Sequence, residues 1–173
     1  MPARVKGALE LREALKKFEP DLLKETNKEI ASFLKPVVKQ ARGFLPSNAD
    51  APSGWLKREN AQGRWATRYY DKAEASRGIT YRTAPSKENR RGWVALATIR
   101  SRNAGAAIYE TAGRKSGVTG NFTPKLGGDL EGRSQKMTGR AMFKAFAQDQ
   151  GKATAGVVKA IEKAEATYNR RTR

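Results

Sequence analysis

The side chains that could do chemistry in this sequence are few in kind. Glu59, Asp71 and Glu110 are the carboxylates best placed to be asked for proton transfer, yet none is spaced with a second group in a catalytic pattern. A carboxylate of this sort is far more often a solvated surface group. The chain has no histidine and no cysteine. That removes the usual acid–base group at neutral pH, imidazole and thiolate metal ligands, thiol nucleophiles and disulfides. Gly117, Gly120, Gly127 and Gly128 are scattered, and neither GxxxxGK[ST] nor GxGxxG occurs, so no phosphate-cradling loop is encoded. The expectation is a protein that is not an enzyme.

The second chemistry available is that of cations. The 173 residues carry 35 Lys and Arg against 17 Asp and Glu, a formal net charge of +18. The excess is uneven. Residues 1–55 hold 10 basic and 7 acidic side chains, residues 56–102 hold 12 and 4, and residues 112–173 hold 13 and 5. Such an excess suits a polyanion, whose phosphates reward Lys and Arg by counterion release, or an acidic protein surface. Within it, Trp65, Tyr69 and Tyr70 interleave with Arg64, Arg68 and Lys72. Rings among arginines can stack on nucleobases. They can equally anchor a loop or an intersubunit contact while the arginines stay solvated.

These groups must be positioned by the elements around them. Pro20 to Pro46 is the longest helical pattern, with Leu22/Leu23, Ile30, Phe33/Leu34, Val37/Val38, Ala41 and Phe44/Leu45 on one face. Pro20 suits a first helical turn and Pro46 a stop, while Pro36, which cannot donate to the Ser32 carbonyl, predicts a kink. Ile30, Phe33, Leu34, Val37 and Val38 are expected to pack against a sheet containing Trp93 to Ile99. A shorter amphipathic helix, Ala8 to Phe18, precedes it and breaks at Glu19-Pro20.

Residues 46–54 read as an exposed loop, and residues 48–78 as an extended one. ITYRT, from Ile79, and WVALATIRSR, from Trp93, alternate as strands around the polar loop APSKENRRG and predict an antiparallel pair. AAIYETA, residues 106–112, fits either a third strand or a short helical turn. Residues 113–136 hold six glycines and read as a long flexible loop. From Thr138 to Tyr168 the helical spacing resumes, weakened at Gly151 and Gly156, before a basic tail at 169–173. The expected architecture is a single α+β domain, residues 1–173: a long kinked N-terminal helix and a C-terminal helix packed on a small antiparallel sheet, with long flexible loops. No apolar run approaches the ~18 residues of a membrane span, so a soluble chain made in a reducing cytoplasm is expected.

Several segments together resemble a known family. PVVKQARGFLPS (Pro36 to Ser47), the Gly54-Trp55 pair, the short β-region and NAGAAIYETAGRKSG (Asn103 to Gly117) resemble the small head-to-tail joining and tail-completion proteins of long-tailed bacteriophages, in the form seen in phages of actinobacteria. The likeness runs from about Leu11 to Ile161. Many members carry a Thr-Gly-Arg-Leu-type segment after the helix, where this chain reads SNADAPSGWLKR. The resemblance implies a structural virion protein without catalysis or cofactor, ring-forming at the neck or the top of the tail tube. Its implied partners are further copies of itself in a hexamer or dodecamer, the adjoining neck, connector or tail-tube proteins, and genomic DNA in the lumen. It implies residence in the virion, after the host cytoplasm. On this reading Arg64, Arg68, Arg90, Arg91, Arg170, Arg171 and Arg173 are candidate polyanion or partner contacts. Ile30, Phe33, Leu34, Val37, Val38, Trp93 and Tyr109 are candidates for core or subunit packing. The rival class is a basic nucleic-acid-binding protein proper.

Overall fold

The computed structural model describes residues 7–50, 70–112, 130–132 and 138–172. In chain order these form α1 (Ala8–Phe18), α2 (Pro20–Gly43), α3 (Lys72–Gly78), β1 (Ile79–Arg82), β2 (Thr98–Ser101), α4 (Ala104–Thr111), β3 (Glu131–Gly132), β4 (Thr138–Gly139), α5 (Met142–Gln148) and α6 (Lys152–Arg171). Strand β1 pairs with β2, and β3 pairs antiparallel with β4, placing Glu131 opposite Gly139 and Gly132 opposite Thr138. Mixed helix with two small sheets is the α+β class expected. No helix among the described residues is long and apolar enough to cross a membrane.

The residues cluster in two compact units. One takes in the chain up to Pro36, Tyr81–Thr98 and Gly151–Arg173; the other takes in Val37–Thr80 and Ile99–Gln150. Helix α2 contributes its first part to one and its last part to the other.

The first unit is helical. Helix α1 packs on α6, and Leu15, Leu22 and Ala164 form a buried cluster flanked by Leu11, Leu23 and Tyr168. On α6 the buried residues are Ala153, Gly156, Val157, Ala160, Ile161 and Ala164. Steps of three and one keep them on one face, and small side chains let another helix approach closely. Gly156 shows how close that approach is: a Cβ there would lie 2.4 Å from the Phe33 ring of α2. Phe33 itself is half-buried, with Gly156 of α6 against its ring. Ile30 and Leu34 beside it are buried. That corrects the expected partner, because Trp93 to Ala97 is not a strand. Arg12 is buried too, donating to Asn27 Oδ1 at 2.8 Å, while its Nη1 has no partner. Burial lowers the pKa of this guanidinium.

The second unit is built from short helices. Val37, Val38, Ala41 and Leu45 are buried at the end of α2 and just past it, with Tyr70, Ala75, Ile79, Ala106 and Tyr109. Helix α3 packs on α4, α4 on β4, and α5 on both β3 and β4. Gly78 permits the α3–α4 approach, since a Cβ there would sit 2.6 Å from the Asn103 Cβ.

Several expectations are corrected. Residues 72–78, read as part of a loop, are helix α3, because Asp71 caps it by accepting from the Glu74 N–H at 2.8 Å. The ends of that loop are tied: Tyr70 donates its hydroxyl to the Pro46 carbonyl (2.8 Å), and Asn48 Oδ1 accepts from the Lys72 N–H (2.7 Å). Residues 106–112 resolve as helix α4, whose N-cap Asn103 accepts from the Ala106 N–H at 3.0 Å. Glu131 and Gly132, in the stretch read as a loop, form β3; most of 113–136 lies outside the described residues. The C-terminal helical region is two helices, parted where Gly151 takes a left-handed φ of 85°. Arg170 and Arg171, read as part of a tail, belong to the last turn of α6.

Candidate functional site

Of the three carboxylates that could have done proton chemistry, Glu59 lies outside the described residues and Asp71 is the α3 cap. Glu110 is the buried one, at 1% exposure. It projects from the last turns of α4, and the sequence around it could not show what it meets, because its partners lie 31 to 33 positions away. Its Oε2 accepts from the N–H groups of Ala141 (2.8 Å) and Met142 (2.9 Å), and its Oε1 from that of Phe143 (2.8 Å). Those amides open α5, whose own N-cap residue Ala141 has no side chain able to cap. A helix start leaves its first N–H groups without helical partners and carries partial positive charge, so a carboxylate placed there satisfies both.

Arg140, the residue before Ala141, reaches the other way. Its Nη1 donates to the carbonyls of Tyr109 (3.1 Å) and Ala112 (2.7 Å), at the C-terminal end of α4. Its guanidinium also lies 5.9 Å from the centre of the Tyr109 ring. Each helix thus lends a charged residue to the end of the other: α4 supplies the anion for the start of α5, and the segment leading into α5 supplies the cation for the end of α4. The fit is tight. A Cβ on Gly139 would overlap Glu110, lying 2.0 Å from its Oε1.

Two tyrosines border this cluster. Burial raises the pKa of Tyr109, with Arg140 and Lys144 pulling the other way. That of Tyr70 is raised chiefly by burial and further by Tyr109 and Asp71. Lys144 of α5 pairs with Glu131 of β3 at 2.8 Å and stands 5.1 Å from the centre of the Phe44 ring. The Lys144 hydrogen bond holds the exposed Glu131 carboxyl below its ordinary pKa. Arg42 donates from Nη2 to the Ile79 carbonyl at 2.8 Å. Every one of these groups is engaged in holding backbone or a neighbouring side chain. Among the described residues no cluster of His, Cys, Asp or Glu could hold a metal ion.

The expected contact residues fall into three groups. Arg64, Arg68 and Arg173, like Trp65 and Tyr69, lie outside the described residues, and Tyr70 is buried away from any stacking role. Arg170 and Arg171 are exposed on α6, where Arg171 pairs with Glu19 at 2.9 Å. Arg90 and Arg91 are exposed on a turn that also carries Trp93. Trp93 departs from the expected strand, belonging to none, and is 48% exposed. Tyr109, Ile30, Leu34, Val37 and Val38 are buried. Glu110's capping role, Arg140 and Gly139 escaped the sequence reading. The only local signal was the Gly-Arg pair preceding an apolar helical run. No protein-family model, curated protein or solved structure matches this chain.

Proposed function

We propose that this chain is a structural subunit of a long-tailed phage particle. It assembles with copies of itself into a ring, a hexamer or dodecamer, at the head–tail junction or the top of the tail tube, joining head to tail or completing the tail. The observation that carries the reading, beside the sequence resemblance, is the commitment of Glu110: buried among the described residues, this candidate carboxylate has both oxygens on the backbone of α5. Among the described residues, Asp71 and Glu110 are both engaged in capping helices. What the surface offers instead is contact, in cations and in large apolar side chains such as Phe18, 62% exposed, and Ile108, 42% exposed. In this reading adjoining neck, connector or tail-tube proteins cover such side chains, and the basic surface meets their acidic faces or DNA in the lumen.

A bend in α2 belongs to the same proposal. Pro36 lies inside the helix and has no N–H for the Ser32 carbonyl, and in this reading that missing bond is what lets the helix bend there. The competing reading, a nucleic-acid-binding protein proper, is favoured by the net charge and by the exposed Arg90 and Arg91 beside Trp93. Imaging decides between them. Purified protein should form closed rings at physiological salt, and labelled protein should locate to the neck or tail top of the particles that carry it. A chain that stays monomeric and is missing from purified particles overturns the proposal.

A further inference from the structure

Helix α1 buries a face that is apolar at its two ends and charged in its middle. The buried residues are Ala8, Arg12 and Leu15, spaced by four and three and therefore on one side of the helix. No buried residue of α6 carries a charge. Arg12 is 9% exposed and donates from Nη2 to the neutral Asn27 side chain of α2, while its Nη1 is shut away from water with no acceptor. None of the ion pairs among the described residues involves it.

A guanidinium stays charged at neutral pH, and burying it against a neutral amide forfeits hydration that one hydrogen bond does not replace. An acid across the interface would offset the loss, but Asn27 stands where that acid would be. The apolar gain on the same helix is modest: Ala8 brings one methyl group, and only Leu15 and the partly buried Leu11 bring large side chains. Docking of α1 is therefore close to balance. Its two ends are also held unequally. At the C-terminal end Leu15 joins Leu22 and Ala164, and Glu19, the single residue between α1 and α2, pairs with Arg171 at 2.9 Å. At the start Gly7, with a φ of 81°, offers no side chain to cap the helix.

We propose that α1 is a releasable arm, hinged at Glu19, which leaves its seat on α2 and α6 while the rest of the chain stays folded, so that Arg12 regains water. Asn27 sets the balance, because as an amide it holds the guanidinium without neutralising it. Release also uncovers Leu22 and Ala164. One movement thus offers a cationic segment carrying Arg12, Lys16 and Lys17, together with the apolar seat it has left. A lone helix of 11 residues is marginal in water, so the released arm frays. The movement belongs to the single chain and does not rest on ring assembly.

The experiment is amide hydrogen exchange read by mass spectrometry on the full chain at neutral pH, comparing peptides of α1 with peptides of α6 and α5. In the unsubstituted protein α1 should exchange about tenfold or more faster than the middle of α6, through an opening that leaves α6 protected. Two substitutions should lock the arm by opposite means. Arg12→Met removes the buried charge while filling similar space, and Asn27→Asp supplies the missing opposite charge. Each should slow exchange in α1 about tenfold and leave α5, in the other unit, unchanged. Arg12→Lys keeps a cation on the buried face and should leave α1 fast. If Arg12 served only to fasten α1 to Asn27, Arg12→Met would remove that bond and speed exchange instead. Circular dichroism checks each variant, and Asn27→Asp decides alone if Arg12→Met fails to fold. Exchange in α1 as slow as in α6, or unchanged or faster exchange in α1 of either locking variant, overturns the proposal.

Discussion

The two units of this molecule are held by different means. In the first, long helices meet through shape: small residues of α6 make a shallow face, and the Phe33 ring fills the space that a side chain at Gly156 would take. In the second, the helices are seven or eight residues long. A helix of two turns leaves nearly as many unpaired backbone groups at its ends as it satisfies within. Buried, those ends are affordable only with side chains brought to them, and Glu110, Arg140, Asn103 and Asp71 do this. The lesson is that a charged residue inside a small unit can be a consequence of helix length.

The comparison is easiest to break at Glu110. Glu110→Ala strands three N–H groups, that of Ala141 buried and those of Met142 and Phe143 part-buried, so a loss on the order of 3–5 kcal/mol is expected in denaturant titrations. Glu110→Gln keeps the volume but turns a carboxylate into an amide, and should lose less. Amide exchange in α5 should accelerate first. A loss below about 1 kcal/mol for the alanine variant would mean that capping is not what holds the second unit.

In the first unit the sharpest probe is Gly156→Ala. The added methyl collides with Phe33, an overpacking cost of about 1–3 kcal/mol, offset by roughly 1 kcal/mol of better helix propensity. Phe33→Ala alone should cost about 2 kcal/mol for a ring only partly removed from water. Because the alanine methyl fits the space the ring vacates, the double variant should be more stable than the two losses summed. Strict additivity in that cycle would show that shape complementarity between α2 and α6 is not at work.

The smallest effect concerns charges that the first unit wears outside. Lys163 pairs with Glu29 at 3.1 Å, the lysine 68% exposed. Lys163→Ala should change stability by less than about 0.5 kcal/mol, and raised salt should erase the difference. A loss comparable to that of Glu110→Ala would dissolve the contrast between the units.

The parts legible in the sequence were those written locally. Helix α1 runs from Ala8 to Phe18 as its periodicity indicates, and α2 opens at Pro20, where proline sits without cost. Ile79 opens a strand as its alternation suggests. The second strand was misjudged at its start, because Asn89 and Ser86 claim the backbone through Ala95 for a turn, leaving strand pairing to begin at Thr98. Asn103 could have settled α4 as a helix, being a strong N-cap residue just ahead of it. Glu110 offered nothing comparable. A carboxylate announces a cap when it stands beside its helix, and this one caps a helix whose opening amides begin 31 positions further along the chain.

Gly139 carries a consequence for descent. With its Cα against the Glu110 carboxylate, it can accept no side chain while the acid remains, and the acid can be lost only if α5 finds another anion for its opening amides. The two positions are therefore chemically bound to vary together. Distant kin whose overall similarity has faded should still betray themselves by a glutamate late in one short helix and a glycine-arginine pair leading into the next. A search that fixes this pair of features, rather than overall similarity, is the one suited to finding them.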